Sequence, residues 1–361
     1  MLLSQPQRSL MIVIGIALCV VLMLFLLSIY NGVADGSVEY IRRNTTDFWV
    51  LQANSTNILR GSSILSTGHG SLLRLIPQVE SASPILFLLS SLNLNGQLST
   101  VFLTGYDPAT GVGGPPVLAD GRGVYNDSEI VLDKSFAAKH HLRVGGVVAL
   151  REDTLRVVGL SEGTNMFVIQ YAFVTLHKAQ EQVGFPGLVS CFLVKAKGGL
   201  NHASVKAKIA EELPGVEVFD QQEFLRNNVH EMESGFLPLL FVIAVIGAVV
   251  LTTILSLILS INILERRKDL AVLKTLGSPQ SFLFKLVISQ GFFLSTGACV
   301  VALVLFAPLT GLVEVLSPEV GIRSSFIHVV LIVLVVWGLG LLSSIIALHR
   351  LRKIYPLEAF S

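Results

Sequence analysis

The chain has 361 residues, of which 52% are hydrophobic and only 14% charged, with a net charge of +1 and a mean hydropathy of +0.69. That composition excludes an ordinary soluble protein, and the length excludes a large transporter. The near-zero charge leaves no electrostatic footprint for nucleic acid.

Four runs reach the roughly 20 apolar residues needed to cross a bilayer. They are Leu10 to Tyr30, Phe236 to Leu264, Phe282 to Val313 and Phe326 to Leu348. Lys285, at the edge of the third, is the one charged side chain among them, and its stem can snorkel to the interface. The first run is about twice as long as the apolar core of a signal peptide and lacks a small-x-small cleavage site, so it is expected to remain as an anchor (segment 1–31). Arg8 precedes the first run, and Arg266, Arg267, Lys268, Lys274 and Lys285 lie between the second and third. Arg350, Arg352 and Lys353 follow the fourth, whereas Glu314, Glu319 and only Arg323 lie between the third and fourth. The positive-inside rule therefore places both termini and segment 265–281 in the cytoplasm, and segments 32–235 and 314–325 outside, with 349–361 as a cytoplasmic tail. The expected fold is an integral membrane α-helical protein with four transmembrane helices and an α+β extracytoplasmic domain between helices 1 and 2.

Beyond Tyr30, Val33, Val38 and Ile41 recur among polar residues, which predicts that the first helix continues as a stalk. Strands are predicted at Phe48–Ala53, Val79–Leu89, Leu98–Tyr106, Glu129–Leu132, Val147–Arg151, Leu155–Leu160, Tyr171–Thr175, Val189–Lys195 and Val216–Phe219. Short helices are predicted at Ser71–Ile76, Lys134–His140, up to about Val183, and Asn201–Glu212, with Gln221–Glu233 leading into the second span. Gly111-Val112-Gly113-Gly114-Pro115-Pro116 reads as a break between two lobes near residue 115. Within the spans, Ala244/Ala248, Ser256/Ser260, Gly291/Ser295 and Gly340/Ser344 are small residues four apart, a spacing that lets helices approach closely. Pro308 is placed to kink the third span.

The sequence carries few chemical motifs. There is no phosphate-binding Gly-x-x-x-x-Gly-Lys-[Ser/Thr] loop, no Gly-x-Ser-x-Gly elbow and no His-Glu-x-x-His. His140 and His141 are neighbours and point about 100° apart on a helix, which makes them poor joint metal ligands. No acid is embedded in a span to mark an ion path. Cys19 and Cys299 sit in apolar runs, which leaves Cys191 alone in the hydrophilic region and no intrachain disulfide there. Asn44-Thr45-Thr46 and Asn54-Ser55-Thr56 match glycosylation sequons, a pattern common by chance. The chain is expected to hold no cofactor, to be no enzyme by itself, and to work mechanically on energy supplied from outside.

The element that suits such work is the stretch Glu265 to Gln280. Leu270, Leu273 and Leu276 form a narrow apolar stripe, Arg266, Arg267, Lys268, Asp269 and Lys274 carry the charge, Gly277 is placed to end the helix, and Ser278-Pro279 to start the next. Asn262 to Pro279 resembles the Arg-Arg-x-x-(hydrophobic)-Ala-Val-Leu-Lys-(Ala/Thr)-(Leu/Ile)-Gly signature of FtsX-like or MacB-type permeases of ABC systems. Glu129-Ile-Val-Leu-Asp-Lys-Ser-Phe-Ala, followed by Leu142-Arg-Val-Gly-Gly, resembles part of that family's periplasmic domain, and Pro356-Leu-Glu-Ala its C-terminal ending. The resemblance covers essentially the whole chain and looks closest to DevC-like permeases. It implies that Glu265, Arg266, Arg267, Lys268, Asp269, Leu270, Leu273, Lys274, Leu276 and Gly277 form a coupling helix on an ABC ATPase subunit, which binds ATP and Mg. It also implies a second permease copy (a homo- or heterodimer), a periplasmic adaptor protein in some systems, and a place in the bacterial cytoplasmic (inner) membrane among its lipids. Residues 1–9 are too few for the longer cytoplasmic helix the family often carries there. Two functions follow as expectations: outward movement of a hydrophobic or amphiphilic substrate, or FtsX-like transmission of force to an outside partner such as a cell-wall hydrolase. A membrane-anchored sensor and an integral-membrane enzyme are the remaining classes.

Overall fold

A computed structural model of the chain describes residues 6–58, 63–94, 96–166, 169–265, 279–318, 320 and 325–351. It divides into two compact units. One comprises Met1–Asn31, Pro238–Val313 and Ile322–Ser361, and the other Gly32–Leu237 with Glu314–Gly321.

The first unit is helical. Among the described residues its helices are α1 (Pro6–Arg43), α6 (Gln221–Glu265), α7 (Gln280–Leu316) and α8 (Phe326–Leu351), of which α1 and α6 also contribute residues to the second unit. Each contains a stretch apolar and long enough to span a bilayer: Val13–Gly36, Phe241–Glu265, Phe284–Leu316 and Phe326–Ala347. Along Phe284–Leu316 exposed positions outnumber buried ones, as on a helix with a lipid-facing side. The covered faces meet in a core that includes Ile16, Val20, Leu251, Leu255, Leu294 and Val336. Small residues set the spacing there. A Cβ on Gly340 would lie 2.8 Å from Ser295 Oγ, and one on Gly291 would overlap Ser344 Oγ, so the two Gly-x-x-x-Ser motifs of α7 and α8 face each other with no room for a larger side chain. The hydroxyls are satisfied locally: Ser295 donates to Gly291 O at 2.5 Å and Ser344 to Gly340 O at 2.8 Å. Ser343 reaches across to Thr252 O on α6 at 3.1 Å.

The second unit is a mixed sheet with helices on it. In chain order it runs β1 (Phe48–Gln52), β2 (Leu65–Ser66), α2 (Gly68–Leu75), β3 (Val79–Leu94), β4 (Gln97–Tyr106), β5 (Leu118–Gly121), β6 (Glu129–Asp133), α3 (Lys134–Lys139), β7 (Val147–Leu150), β8 (Asp153–Ser161), β9 (Tyr171–Thr175), α4 (Leu176–Val183), β10 (Leu188–Val189), β11 (Cys191–Ala196), α5 (His202–Glu212) and β12 (Val216–Asp220). The main sheet has the order β12-β1-β11-β3-β4-β9-β6-β8-β5, with β7 paired to β3 and β8, while β10 and β2 make a separate pair. Neighbours are antiparallel except β4 with β9 and β6 with β8.

Local chemistry starts the short helices. Asp133 caps α3 by accepting from Ser135 N at 2.8 Å, Thr175 caps α4 from Lys178 N at 3.1 Å, and Asn201 caps α5 from Ala203 N at 2.9 Å. Gly184 ends α4 in the left-handed conformation, φ 77°. β6 and β9 are buried at every position, as central strands covered on both faces must be. On β1 the pattern splits by face: Trp49 and Leu51 join one core, Phe48 and Val50 another.

Three sequence expectations change. The stretch Gly111–Pro116 is not a boundary between consecutive lobes. A Cβ on Gly113 (φ 79°) would overlap the Ile85 side chain, so this turn is pressed onto the core, which only a glycine permits. The sheet instead changes partners along β3, which pairs with β11 up to Ile85 and with β4 from Leu86 onward. The strand expected at Val189–Lys195 is interrupted at Ser190, whose hydroxyl accepts from Phe87 N at 3.0 Å and donates to Phe87 O at 3.3 Å. Finally, the turn placed at Glu152-Asp153-Thr154 lies one position earlier, around Arg151, where φ is 55°.

Candidate functional site

The stalk predicted from Val33, Val38 and Ile41 is present: α1 continues to Arg43, and these three side chains are buried. The residue that anchors it is Tyr40. Its ring, fully buried, stacks on Tyr171 with centroids 4.7 Å apart and meets Trp49 and Phe87 edge-on at 6.4 and 5.9 Å. Its hydroxyl donates to Gly113 O at 2.6 Å. Burial, followed by the neighbouring Tyr171 and Cys191, pushes the Tyr40 phenol well above its ordinary range, so the hydroxyl stays protonated and remains a donor. One turn earlier, a Cβ on Gly36 would overlap Asn165 O, which marks how closely α1 is pressed against the loop after β8. Glu39 and Arg43, paired at 2.6 Å, lie against Gly163 of the same loop.

A second knot closes the arrangement. Gln221 begins α6, and its amide donates to Ile41 O at 2.5 Å and Asn44 O at 3.2 Å, while its side-chain oxygen accepts from Trp49 Nε1 at 2.8 Å. One carboxamide thus ties the end of α1, the first strand and the start of α6. Trp49 also stacks on Phe224 of α6, centroids 4.6 Å apart, and Asn228 accepts from Ile58 N at 3.0 Å. Lys206 of α5 pairs with Glu223 at 2.5 Å. The two helices that carry the apolar segments Val13–Gly36 and Phe241–Glu265 are therefore held to the sheet, and to each other, at one place. Nothing in this cluster is a nucleophile–base pair; it is built to hold position.

Of the residues expected to form a coupling helix, Glu265 is exposed at the last position of α6. Arg266, Arg267, Lys268, Asp269, Leu270, Leu273, Lys274, Leu276 and Gly277 lie outside the described residues, as does Ser278. Pro279 precedes α7 and accepts from Phe282 N at 2.9 Å. The sequence reading missed Tyr40, Gln221 and Gly113. Tyr40 and Gln221 sit in stretches already read as stalk helices, so the available signal was an aromatic next to the apolar stripe and a polar residue at a helix start.

The MacB-like periplasmic core domain model matches residues 9–212, and the FtsX-like permease C-terminal model matches residues 240–356. The chain is 23% identical over 217 residues to an uncharacterised ABC transporter permease of Methanocaldococcus jannaschii, an alignment covering 56% of this chain and 54% of that one. The chain therefore spans about half the length of the curated relative it matches. Among solved structures it is similar to the periplasmic region of MacB from Actinobacillus actinomycetemcomitans, with a TM-score of 0.41 and 16% identity over 50% of this chain and 92% of that one. It is also similar to the extracellular domain of the noncanonic ABC-type transporter YknZ from Gram-positive bacteria, with a TM-score of 0.38 and 11% identity over 48% of this chain and 100% of that one.

Proposed function

We propose, because the chain belongs to the MacB/FtsX type of permease, that it is the membrane subunit of an ABC-type complex in which a separate ATPase drives the sheet unit through α1 and α6. The observation that carries this reading is the Gln221 knot: a pull on either helix acts on the same strand. The ATPase docks on the cytoplasmic stretch Glu265–Gly277, whose apolar stripe and basic residues suit a protein surface. The complex contains a second permease copy, and the sheet unit works outside the membrane. The work done there is outward movement of a hydrophobic or amphiphilic substrate. An energy source in another subunit fits a chain whose sequence offers no phosphate-binding loop.

The test is reconstitution with the cognate ATPase in liposomes. Charge reversal at Arg266, Arg267 and Lys268 is expected to abolish complex formation; a complex that survives it removes the docking site. Gln221→Ala is expected to leave the complex and basal ATP hydrolysis intact while uncoupling hydrolysis from transport; full coupling in that variant removes the knot from the mechanism. A wild-type complex that moves no substrate, yet activates an outside cell-wall hydrolase when ATP is hydrolysed, replaces transport with force transmission.

A further inference from the structure

The sheet unit contains an apolar cavity of about 420 Å³. It opens at a gap in the β3 ladder. β11 follows one edge of β3 only to Ile85, and β7 takes up that edge again at Leu92, so the edge from Leu86 to Ser91 has no strand partner among the described residues. Leu51, Ile58, Leu86, Phe102 and Val189 form the walls, and all are buried in the fold. The polar lining is spent on the protein itself: Ser63 donates to Ser190 O at 2.5 Å and accepts from Gln52 N at 2.8 Å, and the Ser190 hydroxyl is engaged with Phe87. Among the described residues, none that lines the cavity is charged. A charged group entering would lose its hydration and meet no opposite charge among the described lining residues, whereas these apolar walls suit an apolar group. Ile64 and Leu89, 57% and 62% exposed, stand at the cavity as apolar residues open to solvent.

One wall residue faces two ways. Phe87 lines the cavity, stacks on Phe102 at 5.4 Å, and meets Tyr40 edge-on at 5.9 Å. An occupant that presses on Phe87 is one ring away from the residue that anchors α1.

We propose that this cavity takes the apolar part of a small amphiphilic molecule, leaving its polar end at the mouth, and that Phe87 is a positioning residue through which occupancy reaches Tyr40. The binding stands independently; calling the occupant the transported substrate rests on the function proposed above. The test uses the full chain in lipid nanodiscs and a decanol-based diazirine photoprobe, with adducts mapped by mass spectrometry. Adducts are expected on Phe87, Leu88 or Cys191, and their yield is expected to fall about tenfold in Leu89→Trp, which plugs the mouth from an exposed position, and again in Ile64→Trp. Adducts confined to the membrane helices, or unchanged in both variants, overturn the site, as does a cavity found closed by a bound peptide that excludes the probe. With the ATPase present, Phe87→Ala is expected to keep the labelling but lose probe-dependent stimulation of ATP hydrolysis. Stimulation that persists overturns the relay and leaves the binding site standing, and labelling without any transport counts against the proposed function alone.

Discussion

The two units of this protein solve close packing in opposite ways. Where α7 and α8 come nearest, the residues are Gly291, Ser295, Gly340 and Ser344; where α1 meets the sheet, they are Tyr40, Trp49, Phe87 and Tyr171. The difference follows from the surroundings. Lipid tails are as apolar as leucine, so burying a large side chain between two membrane helices gains little over leaving it in lipid, and closeness itself is the source of attraction. In a unit with a sheet core, each buried ring removes a large apolar area from water, so size is favoured. Deleting volume should therefore hurt the sheet unit most, and adding volume should hurt the helical unit most.

The sharpest way to break that comparison is Tyr40→Ala. It empties a fully buried ring site and strips the Gly113 carbonyl of its donor, and is expected to cost about 3–5 kcal/mol of stability, read by denaturant unfolding of the full chain. A cost under about 1 kcal/mol would show that the ring cluster is not what holds α1. The mirror experiment is Gly340→Leu, which forces a side chain into the Ser295 contact and is expected to cost about 1–3 kcal/mol, with reduced cross-linking between cysteines placed on α7 and α8. Tolerance of leucine there would mean that the two Gly-x-x-x-Ser motifs do not set the helix spacing.

The smallest effect is electrostatic and lies away from both contacts. Arg122 holds the Glu129 carboxyl at about 2, against an ordinary 4.5; partial burial opposes the shift, and Tyr125 N–H and Asn126 add to it. Because the folded value is depressed, the stabilisation is complete above pH 4.5 and drains away as pH falls toward 2. Glu129→Gln should flatten that limb of the stability curve. The guanidinium is 45% exposed, so the effect should shrink further in high salt. An unchanged acid limb would mean the pair contributes nothing to the sheet unit.

How much of this was legible in the sequence depended on whether the signal was local. The four long helices could be read from run length and absence of charge, and the short helices from local pattern, with the structure adding the caps Asp133, Thr175 and Asn201. The stalk face was visible because Val33, Val38 and Ile41 repeat at helical spacing. Tyr40 was not, because periodicity marks a face without naming which ring on it will find partners far along the chain, here Tyr171 and Gly113. The interruption at Ser190 was hidden for the same reason: a serine hydroxyl taking a ladder position on Phe87 is a long-range event. Gly111–Pro116 misled because a glycine-rich stretch reads as slack chain, whereas Gly113 holds a left-handed φ of 79° with the Ile85 side chain packed against it.

The length of β3 carries one more consequence. Its 16 residues supply partners to both parts of the main sheet, with Ala82 and Ile85 on the β11 side and Leu88 and Leu92 on the β4 side. A slip of one residue would turn its side chains over in both parts at once. Loss of pairing in one part frees a strand on which the other part depends, so heat is expected to take the sheet apart in a single cooperative step rather than in two, as read by calorimetry.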